Sequence, residues 1–352
     1  MPRSAPNSPT HGFAAYRPSR YLVAPDSFKG TFGAAEVAET IARGIREAGS
    51  DADVCPVGDG GEGTLDALLA AEGGTRVEAA AHDPLRRPIR AAFGLLGDGE
   101  TALVEVAAAS GLTLVAAAER DPERADSFGT GELIAAAIEA GASTVLVAAG
   151  GSATTDGGQG AIEALSSGKP DRVRLEVLCD ANAPYEDAAR IFAPQKGADG
   201  AAVARLAARL DEFAQTLPRD PRGVPMGGCA GGLSGGLMAA FDARLRPGAR
   251  FVLDRVGFPS RLAAADAVIS GEGQIDEQSL GGKLVGTVAE LCAGAGKPLH
   301  VIAGRDRLAP ESATAAGVAS ISEASTLEQI AEAGRRLALT GRDGPDVARR
   351  PD

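Results

Sequence analysis

The fold is decided by the stretch Tyr21-Leu22-Val23-Ala24-Pro25-Asp26-Ser27-Phe28-Lys29-Gly30, in which a short apolar run ends in a polar loop. In the segment that follows, Val37, Ile41 and Ile45 recur at the four-residue spacing of one helix face. The pattern stops at Gly49, and glycine commonly follows the last turn of a helix. This order predicts a strand, a loop and a helix, the repeating unit of α/β proteins.

The strand, loop and helix order returns further along the chain. Residues 54–57 predict a strand and residues 65–71 predict a helix, with Thr64 as its N-cap. The later elements are a strand at 267–269, a loop at 270–276, a helix at 285–293, a strand at 299–303 and a helix at 327–337.

The middle of the chain follows a different pattern. Three closely spaced extended runs, at 75–81, 89–96 and 101–107, predict antiparallel strands. We therefore predict an α/β fold in which a Rossmann-like discontinuous domain carries an inserted second α/β domain, with the active site in the cleft between them. The predicted boundaries are 1–19 for a disordered leader, 20–64 and 266–340 for the discontinuous domain, 65–265 for the inserted domain and 341–352 for a charged tail.

Composition narrows the class of protein. The 35 Lys and Arg residues against 47 Asp and Glu residues leave a formal charge of −12, which argues against a nucleic-acid partner. Four widely separated cysteines and three histidines favour reduced thiols in the cytoplasm over a disulfide framework or a zinc site. The most apolar stretch, residues 102–118, is too short and too interrupted to span a membrane. We expect a cytoplasmic protein without a membrane or nucleic-acid partner.

Glycine is unusually abundant, with 47 residues, and it clusters in loops that also carry charged or hydroxyl side chains. In the loop after the first strand, Asp26, Ser27 and Lys29 offer a carboxylate, a hydroxyl and a cation. This set suits a phosphorylated or carboxylate ligand at the carboxyl end of a strand. The same residues also suit an ordinary turn in which Asp26 caps the helix.

The loop Asp59-Gly60-Gly61-Glu62-Gly63-Thr64 combines glycines with acidic residues. Glycines let the backbone approach a ligand, and amides at a helix N-terminus favour anions. Carboxylates beside an anion indicate a divalent cation between them, since magnesium is held by carboxylates together with phosphate oxygens. The alternative is a flexible turn with solvated acids.

The loop Gly150-Gly151-Ser152-Ala153-Thr154-Thr155-Asp156-Gly157-Gly158 is the strongest single motif. It follows an apolar strand and gathers backbone N–H and hydroxyl donors without bulky side chains. It is neither a nucleophile elbow nor a Walker A loop. A nucleotide-phosphate cradle of another type is the functional interpretation, and a structural glycine turn is the alternative.

Three further segments carry related patterns. Pro194-Gln195-Lys196-Gly197-Ala198 places a lysine beside a glycine, and Gly271-Glu272-Gly273-Gln274-Ile275-Asp276 repeats the pairing of carboxylate and glycine. Residues 227–236 contain six glycines and suit a hinge, a close-packed helix start or a phosphate loop. Taken together, the loops at strand ends indicate a phosphoryl-transfer enzyme.

In their order and spacing these motifs resemble the bacterial type I glycerate kinases. The resemblance lies in the loops that begin at Ala24, Asp59, Gly150, Pro194 and Gly271, and it covers nearly all of residues 20–305. It implies a glycerate-kinase type fold of two α/β domains. It also implies phosphorylation of D-glycerate by ATP to phosphoglycerate, generally the 2-phospho isomer, with Mg²⁺ as cofactor.

The sequence departs from the family pattern in its second domain. The segment 165–173 is shorter than is usual in the family, and Ala183 stands where asparagine is usual. The resemblance therefore implies a trimmed second domain, which could alter substrate choice, oligomerisation or activity. All motif lysines and aspartates are retained.

The motifs assign roles on the hypothesis of in-line transfer of the γ-phosphoryl group to a glycerate hydroxyl. Asp26 and Asp180 compete as the base, with Asp26 favoured because Ser27 and Lys29 accompany it. The catalytic cations are Lys29 and Lys196, and the metal ligands are Asp59, Glu62, Glu272 and Asp276. The predicted substrate-binding and nucleotide-binding residues are Ser27, Gly60, Gly61, Gly63, Thr64, Gly150, Gly151, Ser152, Ala153, Thr154, Asp156 and Gln195.

Two other functions remain compatible with the sequence. One is a non-catalytic or altered-specificity paralogue that binds a small hydroxy acid or sugar acid. The other is a kinase for a related hydroxy acid. The expected partners are D-glycerate and ATP, and the expected assembly is a monomer or a homodimer.

Overall fold

The structure, a computed structural model, describes residues 20–28, 30–166 and 173–340. The predicted leader at 1–19, the predicted tail at 341–352 and Lys29 lie outside the described residues. The described strands are β1 (Arg20–Pro25), β2 (Asp51–Val54), β3 (Gly74–His82), β4 (Pro88–Leu96), β5 (Thr101–Glu105), β6 (Thr144–Ala148), β7 (Arg174–Cys179), β8 (Arg244–Pro247), β9 (Ala267–Glu272), β10 (Leu299–Ala303) and β11 (Val318–Glu323).

Helices cover both sheets. They are α1 (Ala34–Glu47), α2 (Thr64–Glu72), α3 (Val106–Ser110), α4 (Phe128–Glu139), α5 (Gln159–Leu165), α6 (Ala188–Phe192), α7 (Gly200–Ala214), α8 (Leu233–Phe241), α9 (Gly248–Arg255), α10 (Phe258–Ala264), α11 (Leu284–Ala295), α12 (Pro310–Ala315) and α13 (Leu327–Thr340). None of the helices in the described ranges is long and apolar enough to cross a bilayer.

The first sheet contains strands from both ends of the chain. Its order is β11-β10-β9-β1-β2, and every neighbouring pair is parallel. The interior strand β1 is buried from Tyr21 to Pro25, as expected of a parallel strand covered on both faces. The α/β architecture with a discontinuous first sheet agrees with the prediction.

The second sheet, in the order β3-β4-β5-β6-β7-β8, is mixed. The pairs β3·β4 and β4·β5 are antiparallel, which confirms the pattern predicted for the middle of the chain. From β5 to β8 the pairs are parallel, so the carboxyl ends of four strands lie at one edge.

One apolar cluster joins the two sheets. It contains Leu22 and Val268 from the first sheet and Leu103 and Leu146 from the second, together with residues of α2, α9 and α11. All four of these side chains are almost fully buried. The two sheets are therefore packed on a shared apolar layer.

Three local predictions were wrong. The strand predicted at 54–57 lies at Asp51–Val54, where it is an edge strand whose acidic Asp53 forms ion pairs with Arg20 and Arg261. Gly63, with a positive φ of 93°, is the N-cap of α2 instead of Thr64. Residues 270–272 belong to β9 and not to a loop, because they pair in register with β1 and β10.

The glycine-rich segment 227–236 begins a close-packed helix, one of its three alternatives. A Cβ placed on Gly231 would lie 2.0 Å from the carbonyl oxygen of Thr154, and one on Gly236 would lie 2.0 Å from that of Gly157. The glycines therefore let α8 approach the backbone of the 150–158 loop.

Candidate functional site

A cavity of about 480 Å³ opens at the carboxyl ends of the first sheet. We call it the strand-end cavity and define it by six lining residues: Asp26, Ser27, Asp59, Glu272, Lys283 and Arg305. Ligands of open α/β sheets bind outside the carboxyl ends of the strands, so the position of this cavity is that of a ligand site.

Every strand of the first sheet contributes to the strand-end cavity. Asp26 follows β1, Asp59 follows β2 and Glu272 ends β9. Arg305 follows β10, and Ser325 follows β11. Parallel alignment brings these chain-distant residues to one edge, which explains why the motifs recur after strands.

Four carboxylates line the cavity, and three of them, Asp26, Asp59 and Glu272, follow or end strands of the first sheet. Asp26 and Asp59 are each only 4% exposed, and Glu272 is half-buried on the strand next to β1. Oδ1 of Asp26 accepts a hydrogen bond from the Ser27 N–H at 2.6 Å, and Oδ1 of Asp59 accepts one from the Gly61 N–H at 3.0 Å. These bonds fix the orientation of two carboxylates toward the cavity.

The donor set suits magnesium held together with a nucleotide. Among the residues that the structure describes, no three His, Cys, Asp or Glu side chains form a cluster that could hold a metal by themselves. Mg²⁺ at kinase sites is usually bound by one or two carboxylates plus substrate phosphates, and Asp26, Asp59 and Glu272 provide enough carboxylates for that mode. The cavity size and its hydroxyls also suit a nucleotide.

The other two predicted metal ligands have different surroundings. Asp276 lines the same cavity, but its carboxylate accepts a hydrogen bond from the Gln278 N–H at 2.9 Å and caps a short 3₁₀ helix. Oε2 of Glu62 lies 3.8 Å from the position of a Cβ on Gly151, at the 150–158 loop. The structure thus brings Asp59 and Glu272 together and leaves Glu62 at another surface.

Several buried hydroxyls have no hydrogen-bond partner within the described residues. They include Oγ of Ser27 and the Oγ1 atoms of Thr64 and Thr154, all predicted binding residues. A Cβ placed on Gly63 would lie 3.8 Å from Oγ of Ser27, so the first two glycine loops meet at the cavity. A buried hydroxyl without a partner is costly, and a ligand oxygen would satisfy it.

The second functional region is where residues 58–64 pack against the carboxyl edge of the second sheet; we call it the loop interface. A Cβ placed on Gly150 would lie 2.6 Å from the Cα of Gly61, and one on Gly60 would lie 2.6 Å from the Cα of Gly248. Backbone therefore packs directly on backbone. These glycines are required by close packing as well as by any ligand.

Glu105, which the sequence analysis did not single out, anchors the loop interface. Its Oε1 accepts hydrogen bonds from the N–H groups of Gly63 and Leu65, both at 2.9 Å. Burial raises the pKa of Glu105 to about 7. The negative charges of nearby Asp66 and Glu62 also raise this pKa, whereas the two hydrogen bonds lower it. The N-terminus of α2, expected to receive a ligand anion, thus interacts with a carboxyl group of the protein itself.

Asp156 is also satisfied internally. One of its oxygens accepts hydrogen bonds from the N–H and Oγ of Ser127 at 2.9 and 2.7 Å and from the Gly160 N–H at 3.0 Å. Its other oxygen accepts one from the Gly158 N–H at 3.2 Å. This carboxylate shapes the 150–158 loop.

Lys196 lies against the same loop and is 3% exposed. Its Nζ donates to Oγ of Ser152 at 3.0 Å and to the carbonyl oxygen of Thr154. Burial lowers the pKa of Lys196 to about 8, and the nearby carboxylates of Asp156 and Asp180 partly offset this effect. Four residues predicted separately, Lys196, Ser152, Thr154 and Asp180, are therefore brought together.

The remaining predicted residues are placed as follows. Gln195 is exposed, Ala153 is buried beside Lys196, and Lys29 lies outside the described residues. The sequence analysis missed Lys283 and Arg305. Both follow the rule used for the other loops, since Lys283 comes after Gly281 and Gly282, and Arg305 comes after β10 and Gly304.

A second cavity, of about 830 Å³, lies elsewhere on the molecule. It is lined by Arg174 and Leu175 at the start of β7 and by Arg244 at the start of β8. These are the amino ends of the strands, opposite the edge where ligands of parallel sheets bind. The strand-end cavity is therefore the better candidate, although it is smaller.

Comparison with known proteins gives a consistent family. The model of the family described as "Glycerate kinase family" matches residues 21–171 and 166–340, two pieces that overlap at residues 166–171. The chain is 38% identical to the glycerate 2-kinase of Escherichia coli (strain K12), over 81% of this chain and 85% of that protein. It is 39% identical to the glycerate kinase of Bacillus subtilis (strain 168), with the same coverage.

A solved structure is also similar. The crystal structure of "putative glycerate kinase 2" from Salmonella typhimurium LT2 matches with a TM-score of 0.76 and 34% identity. The match covers 92% of this chain and 98% of that one. The similarity extends over both sheets.

Proposed function

The chain belongs to the glycerate kinase family of enzymes, and we propose that it transfers the γ-phosphoryl group of ATP to D-glycerate, giving 2-phosphoglycerate and ADP. The observation that carries the proposal is the strand-end cavity, where Asp26, Asp59 and Glu272 share one space with Lys283 and Arg305. Carboxylates and cations at the carboxyl edge of a parallel sheet suit a metal-bound nucleotide and a hydroxyl acceptor.

In this proposal Asp26 is the base. The glycerate hydroxyl oxygen forms a bond to the γ-phosphorus while the bond from that phosphorus to the ADP oxygen breaks, and the hydroxyl proton passes to the Asp26 carboxylate. Asp26 is favoured over Asp180 because Asp26 lines the cavity, whereas Asp180 acts on Lys196 at the loop interface. Positioning and charge neutralisation supply most of the acceleration in such reactions.

The other predicted residues have supporting roles. Asp59 and Glu272 would hold Mg²⁺, which when bound neutralises charge on the transferring phosphate. The hydroxyls of Ser27, Thr64 and Thr154 would bind ligand oxygens. We place the domain boundaries at 64/65 and 265/266, so that the acceptor acid lies between the strand-end cavity and the loop interface.

We place the enzyme in the cytoplasm, as a monomer or a homodimer. The four cysteines are buried and free, which supports a reducing compartment. Size-exclusion chromatography with light scattering distinguishes the two assemblies.

A coupled assay of ADP formation tests the function. With Mg²⁺ and ATP, addition of D-glycerate is expected to start ADP release, and ³¹P NMR is expected to identify 2-phosphoglycerate. Binding of D-glycerate without ADP release would instead support a non-catalytic paralogue. If another hydroxy acid from a panel is turned over faster than D-glycerate, that acid is the acceptor instead.

A further inference from the structure

The strand-end cavity contains two cations without internal partners. Lys283, half-buried, directly precedes α11, and Arg305 is exposed two residues after β10. Across the described ranges, neither side chain forms an ion pair or a hydrogen bond. Both nevertheless share a cavity with four carboxylates.

Elsewhere in this acidic chain, cations that approach an acidic residue pair with it. Arg261 Nη1 lies 2.8 Å from an oxygen of Asp53, and Arg205 Nη2 lies 2.8 Å from an oxygen of Glu123. Lys283 and Arg305 therefore differ from these arginines: their donors face the cavity and are available to a ligand. Two cations that face a cavity select an anionic ligand.

The size of the cavity and the number of cations favour a polyphosphate over a small carboxylate. A volume of about 480 Å³ lies within the range of pockets for ligands much larger than a three-carbon acid. Lys283 precedes α11 and Arg305 follows β10, so the two cations reach the cavity from different segments and can contact successive phosphates. The carboxylates of the same cavity would contact the metal ion that accompanies such a chain of phosphates.

We propose that Lys283 and Arg305 are binding residues for the polyphosphate chain of the nucleotide, so that the nucleotide occupies the strand-end cavity. This inference rests on the proposed function, since it identifies which substrate this cavity holds. Under this inference, Lys283 and Arg305 are the cations that bind the nucleotide, whereas Lys196, at the loop interface, does not contact its phosphates.

The test is the binding of Mg-ATP, measured by isothermal titration calorimetry on the full chain and on Lys283→Met and Arg305→Met. Each substitution is expected to weaken binding by about 10-fold to 100-fold, the usual effect of removing a charge-assisted contact. Thermal unfolding is expected to be unchanged, because neither side chain has a partner to lose. Lys283→Arg is expected to retain most of the affinity.

Arg307→Met is the matched control. Arg307 is an exposed cation two residues further along and is not among the residues that line the cavity. Its loss changes the net charge by the same amount and is expected to leave Mg-ATP affinity within about twofold. An equal loss of affinity in all three variants would indicate a long-range charge effect and would overturn the inference.

Other outcomes separate this inference from the proposed function. If the chain binds Mg-ATP and the two variants weaken that binding, but D-glycerate is not phosphorylated, the inference stands and the proposed acceptor is wrong. If the chain does not bind Mg-ATP, the inference is wrong. A rise in KM for D-glycerate with unchanged Mg-ATP binding would assign these cations to the substrate carboxylate and also overturn it.

Discussion

The strand-end cavity and the loop interface contain the same kinds of residue, but their polar groups have different partners. At the loop interface, Glu105 and Asp156 accept hydrogen bonds from the protein's own N–H and hydroxyl groups. In the strand-end cavity, Lys283 and Arg305 have no partner within the described residues. The first arrangement stabilises the packing of two loops, whereas the second leaves charge available to a ligand.

This difference predicts two classes of variant. Substitutions in the strand-end cavity are expected to change activity or binding with little effect on stability. Substitutions at the loop interface are expected to change stability first, because they remove satisfied hydrogen bonds or close contacts.

The largest expected effect is on turnover in Asp26→Asn. The amide retains an oxygen to accept the Ser27 N–H bond but cannot take the hydroxyl proton, so kcat is expected to fall by about 100-fold to 10,000-fold. Initial rates of ADP release measure this fall, and circular dichroism checks the fold. Asp180→Asn is the matched comparison. A larger fall in kcat in Asp180→Asn than in Asp26→Asn would identify Asp180 as the base instead of Asp26.

Next is the stability loss of Asp156→Asn at the loop interface. If the new amide keeps its oxygen toward Ser127 and Gly160, its NH2 group points at the N–H of Gly158, which also donates. Mispaired buried donors are expected to cost about 3 kcal/mol of unfolding free energy. Urea unfolding measures it, with the exposed Asp51→Asn as control; similar losses in the two variants would contradict the internal role of Asp156.

Gly150→Ala tests the close contact of the two loops. Its Cβ would lie 2.6 Å from the Cα of Gly61, so one loop must shift, at an expected cost of about 1 to 3 kcal/mol. Gly294→Ala is the control, because no atom lies within 4 Å of its Cβ position and the residue is helical. The control is expected to keep or raise the thermal midpoint, and a midpoint unchanged by Gly150→Ala would refute the packing argument.

The smallest expected effect is the pH dependence of Glu105→Gln. The pKa of Glu105 is raised from its ordinary 4.5 to about 7 in the folded state, so folding favours its protonated form. The unfolded chain releases this proton first, and wild-type stability therefore falls as pH rises from 4.5 to 7. Glutamine does not titrate, so the unfolding free energy of Glu105→Gln does not fall over this pH range. The variant is expected to be no more stable than the wild type near pH 4.5 and about 1 kcal/mol more stable at pH 8. The value at pH 8 allows for the lost interaction of the carboxylate with the α2 N-terminus.

Urea unfolding at pH 5 and pH 8 measures that difference. Glu36→Gln, an exposed acidic residue in the first turn of α1, is the control and is expected to show no comparable gain at pH 8. A Glu105→Gln advantage that is equal at the two pH values would show that the carboxylate is not destabilised by burial.

Local sequence patterns predicted the loops that carry Asp26, Asp59 and Glu272 and much of the order of elements, but they did not predict strands β8 and β11. Apolar runs that end in glycine and charged residues mark strand ends wherever they occur, and parallel pairing then gathers those ends. The edge strand β2 was misplaced because two acids, the exposed Asp51 and the half-buried Asp53, interrupt the apolar pattern that marks a buried strand.

The partners of each polar group could not be predicted from local patterns. Glu105 accepts hydrogen bonds from residues about 40 positions away, and Asp156 from Ser127, which is 29 positions away. These contacts decide in which glycine loop the N–H groups are hydrogen-bonded to the protein's own side chains, and which loop faces a ligand. Arg305 could have been found by the rule of glycine beside charge at a strand end, and Lys283 by the same pairing of glycine and charge before a helix.

The most direct test of the central claim is a crystal structure of the protein with Mg²⁺, D-glycerate and a non-hydrolysable ATP analogue. We predict the phosphates in the strand-end cavity, within hydrogen-bond distance of Lys283 and Arg305, with a glycerate hydroxyl facing Asp26. Phosphates bound instead at Lys196 and Ser152 in the loop interface, or in the cavity at the amino ends of β7 and β8, would contradict it.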